Sequence, residues 1–304
     1  MRSHRNRTGW VRLLTVVFVS VALTVSSTIT AFAENEDSCA PGSAAAGDPQ
    51  AESGQADDGP PQIYVDGILY PGQTIAEDGY LYVGVREFSL YMGAASVNWN
   101  GTAKTAVIHD EGLTLTAVGT GKYLEANGRC LWANGGYRIE NGTLFASLRV
   151  LAKAFGCSVS EEISGAVSLV RGADPLLSAE EFYDGEQLLW LSRIIHAEAN
   201  TESLAGKMAV GSVVLNRVRD AAFPDTIYEV IFDMSAGVQF TPAASGTIYC
   251  SPSAESVLAA KLCLEGTRIS NNIFFFVNEA IAENTWVSDN RPFIMVIGRH
   301  SFFA

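Results

Sequence analysis

LLWLSRIIHAEANTE, Leu188 to Glu202, sets Leu188, Leu191, Ile195 and Glu198 on one stripe at spacings of three, four and three, the period of a helix. The stripe is apolar and ends on a carboxylate. Held against apolar walls, a carboxyl has its charged form disfavoured and its pKa raised, which is what a general acid at neutral pH requires. In a helix whose last turn has reached solvent, Glu198 is instead ordinary surface.

The tripeptide His196-Ala197-Glu198 also occurs in zinc deaminases, where a downstream P-C-x-x-C completes the metal shell. This chain of 304 residues has no C-x-x-C, and Cys250 and Cys263 stand thirteen residues apart. The carboxylate therefore needs another explanation.

Downstream, AGKMAVGSVVLNRV (205–218) is apolar almost all round, the mark of a central helix. Asn216 and Arg217 close it; a buried Asn must be hydrogen-bonded, to neighbouring backbone or to a ligand. In FPDTIYEV, Pro224 breaks the helix and Thr226 with Glu229 forms a capping box. GVQFTP (237–242) reads as extended or loop, with Gln239, Phe240 and Thr241 suited to sugar recognition by hydrogen bonding and stacking. Ser253 caps a further helix through Glu265, ended by Gly266. The tail, IFFFVN, TWV and RPFIMVIGRHSFF, reads as two or three short strands carrying Asn278, Trp286, Arg291 and His300.

Upstream lies an internal repeat. Gly79, Arg86 and Gly93 recur 63 residues later as Gly142, Arg149 and Gly156, and VDGILY at Val65 recurs as ANGRCL at Ala126. Each unit reads as a hairpin, a glycine turn, a strand, a helix of about ten residues ending in Gly, and a further strand. In a repeated position, Arg86 and Arg149 are expected to tie helix to strand. Residues 34–61 hold no aromatic or branched aliphatic residue and read as a disordered linker.

Residues 1–33 combine Arg2, Arg5, Arg7 and Arg12 with an apolar run and Ala31-Phe32-Ala33, a secretory signal with an A-x-A cleavage site; a retained anchor is the other reading. No second apolar run is long enough to span a bilayer, so no stable membrane span is expected after cleavage. Loss of four of the 20 Lys+Arg against 33 acidic residues leaves a formal charge of −17 on the mature chain, which argues against nucleic acid as a partner. Among the five cysteines, Cys130 with Cys157 and Cys250 with Cys263 could pair, leaving Cys39, or some are small buried hydrophobes.

Residues 62–172 resemble the copper amine oxidase N-terminal-like, or stalk, domain of secreted Gram-positive proteins, in two copies. With His109 as its sole histidine, this part has no copper site, and the resemblance implies binding or spacing. The ordered motifs LLWLSRIIHAEANTE, GKMAVGSVVLNRV, FPDTI, VQFTP, FFFVN, W, RP and IGRHSF resemble the SleB-type cell wall hydrolases, the spore cortex-lytic family. That resemblance covers residues 185–304. It implies an α+β, lysozyme-like catalytic domain with a small sheet, acting on peptidoglycan glycan strands outside a Gram-positive cell or in a spore cortex. It further implies that Glu198 is catalytic and that Asn216, Arg217, Gln239, Phe240, Thr241, Asn278, Trp286, Arg291 and His300 bind substrate. Thr201 departs from the family's usual Gly, and the segment after Asn278 lacks its usual Pro.

Glycosidases of the usual kinds employ two carboxylates, and Glu202, one turn beyond Glu198, is the possible second; it could equally be a solvated end or a structural partner. If Glu198 works alone, the reaction is lytic transglycosylation between the muramic acid and glucosamine units, and no cofactor or metal is needed. The alternatives are an N-acetylmuramoyl-L-alanine amidase, for which His196 and His300 are too few zinc ligands, and a non-catalytic wall-binding or germination adaptor. Residues from about Ser178 onward are expected to fold and cleave alone.

Overall fold

The computed structural model describes residues 59–304 apart from 173–175, 236 and 283–284. The expected signal segment, nearly all of the linker and Cys39 lie outside the described residues.

Asp66-Gly67, Asp78-Gly79, Asn127-Gly128 and Asn141-Gly142 each hold two successive positive φ angles, near 50° and then 76–79°, the conformation of a type I′ hairpin turn. In the first repeat these turns join β1 (Ile63–Val65) to β2 (Ile68–Leu69) and β3 (Thr74–Glu77) to β4 (Tyr80–Gly84), before α1 (Val85–Tyr91), β5 (Ser96–Asn100) and β6 (Thr105–Asp110). β7 (Leu113–Val118) leads into the second repeat. There they join β8 (Tyr123–Ala126) to β9 (Arg129–Trp132) and β10 (Tyr137–Glu140) to β11 (Thr143–Ser147), before α2 (Leu148–Ala154), β12 (Ser158–Glu161) and β13 (Val167–Val170).

The repeats interlock. β4 and β11 pair antiparallel at the centre of the sheet β10-β11-β4-β3. The last two strands of the second repeat join the first hairpin of the first as β12-β13-β1-β2, with β1 and β13 parallel. The reciprocal exchange gives β5-β6-β7-β8-β9, in which β7 is the strand inserted between the two repeats. Neither repeat can bury its own apolar face, and Phe88, Leu115, Leu124, Leu148 and Leu151 close a single core between them.

The helices α1 and α2 have seven residues, fewer than the ten expected. Met92 and Phe155 belong to the caps, where the Ala94 and Cys157 amides return to the Ser89 and Ala152 carbonyls. Arg86 Nη1 donates to the Val97 carbonyl in β5 at 2.9 Å, and Arg149 pairs with Glu161 in β12. Both repeated arginines thus tie helix to strand.

The chain continues through α3 (Ala179–Phe182), α4 (Gly185–Ala199), α5 (Leu204–Arg219), α6 (Ile227–Phe232), α7 (Thr241–Ser245), α8 (Ala254–Leu264), β14 (Phe275–Val277), α9 (Trp286–Asn290), β15 (Phe293–Ile297) and β16 (His300–Phe303). Asp184, Ser203, Thr226 and Ser253 start four of these helices, each side chain accepting the amide three residues on. α5 is buried continuously from Gly206 to Arg217, as its all-round apolar sequence requires, and α4 and α8 pack on it and on each other. The approach is close at Gly211, where a Cβ would meet Cys263 Sγ at 2.9 Å and Ile195 Cδ1 at 3.0 Å. The sheet β14-β16-β15 lies beside α5. The molecule is thus of mixed helix and strand, sheet-rich first and helical with a small sheet afterwards.

Two expectations need correction. Trp286 opens a helix rather than lying in a strand, because Thr285 Oγ1 bonds Asp289 Oδ2 at 2.7 Å and Asn290 Nδ2 bonds the Trp286 carbonyl at 2.9 Å, closing one turn. The four described cysteines are free: Cys263 fills the seam at Gly211 while Cys250 is exposed, and Cys130 lies in the core of the helical part.

The helical part and the repeats meet at a buried ion pair. The carboxylate of Glu265, 1% exposed, receives Arg129 Nε at 2.7 Å, Arg129 Nη2 at 2.9 Å, Lys153 Nζ at 2.9 Å and Tyr183 Oη at 3.0 Å. Three of those four donors, from Arg129 and Lys153, belong to the repeats, so the junction is built of shared buried charge.

Candidate active site

Glu198 stands on the last turn of α4, half-buried, one turn before the link to α5. Its helix is fixed by Leu191, Ile194, Ile195 and Ala199, all in the core. Burial pushes the Glu198 carboxyl up to about 7, and among the described residues no hydrogen bond or ion pair involves it. A carboxyl in that state exchanges its proton at neutral pH and can act as acid or base.

Glu202 is placed quite differently. Its side chain is 7% exposed, and its Oε1 accepts Arg299 Nε at 3.1 Å while Oε2 accepts the Arg299 amide at 3.4 Å. Arg299 also reaches Thr201 Oγ1. The Glu202 carbonyl accepts the buried Lys207 ammonium at 2.5 Å, whose other partner is Glu255 at 2.7 Å. Glu202 therefore fastens the α4–α5 link to the β15–β16 turn.

The residues expected to bind substrate fall into two groups. Asn216, Arg217, Phe240 and His300 are buried, at 5, 4, 2 and 7% exposure. Asn216 Nδ2 donates to the Ser270 and Ile273 carbonyls at 3.0 and 2.9 Å, and Arg217 Nε donates to the Phe274 carbonyl at 2.7 Å. These two hold the approach to β14 against α5. Burial lowers the Arg217 pKa to about 10. Phe240 packs in the core against Phe276, so stacking of a sugar on its ring is a correction: the ring is not presented to solvent. Phe276 in turn meets His300 edge-on. Burial lowers the His300 pKa, against the opposing pull of Glu202.

Gln239, Thr241, Asn278, Trp286 and Arg291 are the accessible group, with Gln239 and Asn278 half-buried. Gln239 Oε1 accepts Arg217 Nη1 at 3.2 Å, and Thr241 opens α7. Asn278 Oδ1 accepts the Ala280 amide at 3.2 Å in the turn after β14. Arg291 lies between Phe275 at 4.4 Å and Trp286 at 5.3 Å, and Arg217 lies over Phe275 at 5.1 Å. A ladder of alternating cation and ring thus joins Arg217, Phe275, Arg291 and Trp286.

Arg299 and Lys207 were missed by reading the sequence. The lone Lys in an apolar helix was the visible signal for the second; Arg299 lies inside the tail motif IGRHSF, in which His300 was singled out instead. Among the described residues no three His, Cys, Asp or Glu side chains cluster as a metal set, and no helix is long and apolar enough to cross a membrane. His196 Nδ1 accepts the Ser253 amide at 3.3 Å.

Residues 201–303 match the Cell Wall Hydrolase family and residues 64–168 the copper amine oxidase N-terminal domain family. The spore cortex-lytic enzyme of Oceanobacillus iheyensis is 32% identical over 131 residues, 43% of this chain and 46% of that protein. The spore cortex-lytic enzyme of Bacillus cereus is 32% identical over 120 residues, 40% of this chain and 45% of that protein. The chain spans less than half the length of these curated relatives. The catalytic domain of the germination-specific lytic transglycosylase SleB from Bacillus anthracis, 32% identical, aligns with 40% of this chain and 97% of that one at a TM-score of 0.37.

Proposed function

We propose that this chain, which carries a cell wall hydrolase domain behind a copper amine oxidase N-terminal-like domain, is a secreted peptidoglycan-cleaving lytic transglycosylase with Glu198 as its one proton-transferring group. Residues 1–33 are its export signal, 62–172 the repeat domain and 185–304 the catalytic domain. The reading is supported by kinship with spore cortex-lytic enzymes. Glu198 stands just before the matched span of 201–303, so its role rests on its environment.

The observation that carries the mechanism is the contrast of two carboxylates one turn apart. Glu198 is unpartnered with its pKa near 7, whereas Glu202 is occupied by Arg299. In its acid form Glu198 gives its proton to the glycosidic oxygen as the bond to the muramic C1 breaks. The resulting carboxylate takes the proton of the muramic 6-hydroxyl as that oxygen bonds to C1. The 1,6-anhydro end forms, no water is consumed, and Glu198 returns to its acid form. Gln239, Thr241, Asn278, Trp286 and Arg291 supply the accessible polar and aromatic contacts to the strand.

Mass spectrometry of the fragments released from purified peptidoglycan tests this. Anhydromuramyl ends that vanish in Glu198→Gln are the expected result. Reducing muramic ends, or cleavage at the lactyl-peptide bond, would replace it with hydrolysis or amidase action.

A further inference from the structure

Where β9 and α2 of the repeats meet the end of α8, a cleft of about 420 Å³ opens, its walls including Trp132, Arg149, Lys153, Glu265, Arg268 and Asn271. Three cations converge there in a chain of formal charge −13. Glu265 does not cancel them. Its two oxygens already take four donors, as many as a carboxylate has lone-pair sites, and one of its two cationic partners, Arg129, is itself buried. Among the described residues Arg149 is paired only with Glu161, both more than half exposed, a contact of little strength. Arg268 donates Nη1 to the Cys263 and Thr267 carbonyls, has no carboxylate partner among the described residues, and keeps a buried Nε without an acceptor.

The cleft is distinct from the Glu198 site. Tyr183, just before α4, bonds Glu265, whereas Glu198 lies thirteen residues along that helix from Gly185, which at 1.5 Å per residue is about 20 Å away.

We infer that this junction cleft binds a free carboxylate of the peptide stems of peptidoglycan, so that the repeats and the helical part grip one polymer at two places. The inference rests on peptidoglycan being the substrate. The spare charge, Arg268 with a weakly held Arg149, suits a monoanion, and guanidinium groups take carboxylates in bidentate fashion. Trp132 offers an apolar wall for the adjoining peptide or sugar. A phosphodiester polymer would meet two cations and then an acidic protein surface.

The test is equilibrium binding to the mature chain carrying Glu198→Gln, which prevents turnover. The probes are a soluble disaccharide-tetrapeptide with free carboxylates, the same compound amidated, and polyglycerol phosphate. The free-carboxylate probe should bind more tightly than the amidated one. Arg268→Gln or Arg149→Gln should erase that difference, weakening the free probe by about tenfold, the scale of one charge-assisted hydrogen bond. Arg171→Gln, an exposed cation elsewhere, should leave it intact. Arg149→Gln carries the test alone if loss of the Arg268 bond to α8 disturbs folding, with the melting temperature as the check.

Equal binding of the free and amidated probes, or a difference that survives Arg149→Gln, overturns the cleft assignment while leaving glycan cleavage standing. Preference for polyglycerol phosphate also overturns it. No binding of either muropeptide overturns the substrate reading as well. Carboxylate-dependent binding without glycan cleavage by the unsubstituted chain sustains the cleft and sinks only the catalytic assignment.

Discussion

Arg299 clamps Glu202 with a side-chain bond of 3.1 Å and a backbone bond of 3.4 Å, and in doing so sets it apart from Glu198, one helical turn earlier. A carboxylate held by a guanidinium and an amide stays put. It is a fastening, whereas Glu198 has no hydrogen-bond or ion-pair partner among the described residues and is the proposed proton-transferring group.

The first expectation is a split in kinetics. Glu198→Gln keeps the shape and removes the exchangeable proton, so kcat should fall at least about a hundredfold, the lower range for general acid-base catalysis. Glu202→Gln should cost far less in kcat and should lower the melting temperature instead. Equal kcat losses for the two variants would point to a pair of catalytic carboxylates.

Stability should carry the signature of Glu198 too. Its folded pKa is raised to about 7 from an ordinary carboxyl value, so its contribution to stability is fully present below the unfolded value and is lost as pH rises through about 7. Glu198→Gln, which cannot ionise, should therefore be more stable than the parent at pH 8, by up to about 3 kcal/mol, and close to it at pH 4. Urea unfolding at the two pH values reads this; a difference that is the same at both would mean that Glu198 is solvated.

Helix identity and site chemistry were legible for different reasons. The apolar stripe through Leu188, Leu191 and Ile195 and the caps at Thr226 and Ser253 are local, and local rules found them. The recurring glycine turns likewise announced the hairpins. What local rules could not foresee was partnership across long separations. Phe240 looked like a sugar platform because its neighbours are polar, yet Phe276, distant in sequence, covers it. Asn216 was open between clip and ligand until the Ser270 and Ile273 carbonyls claimed its amide. The exchange of strands between repeats, and the buried Glu265 at their junction with α8, are equally nonlocal.

Gly298 is expected to be intolerant. Its φ is +59°, and a Cβ there would lie 1.7 Å from Glu202 Oε2, so Gly298→Ala meets both backbone strain and the clamped carboxylate. A loss of about 2–4 kcal/mol follows from the two penalties together. In the Glu202→Ser background the steric part should disappear, and a double-mutant cycle measures it. Strict additivity would show that the two residues do not touch.

Chelation should leave activity unchanged, because the proposed reaction moves its proton through Glu198 alone and calls on no metal. Loss of activity in EDTA with recovery on added zinc would favour the amidase reading.

The last expectation concerns the junction. Arg129, 5% exposed, is held by Glu265 and lies 3.5 Å under the Phe182 ring, so removing the carboxylate leaves a buried guanidinium without its counter-charge. Glu265→Ala should cost about 3–5 kcal/mol, the usual loss when one partner of a buried pair is deleted. Arg129→Met together with Glu265→Leu replaces both charges by apolar volume and should recover much of that loss. Cutting the chain before Ser178 removes Arg129 and Lys153 together and uncovers the face of α8 on which β9 packs. The fragment from Ser178 to Ala304 should then melt well below the full chain, and Glu265→Leu within it should raise its melting temperature. A fragment as stable as the full chain, indifferent to Glu265→Leu, would show that the two parts merely rest against each other.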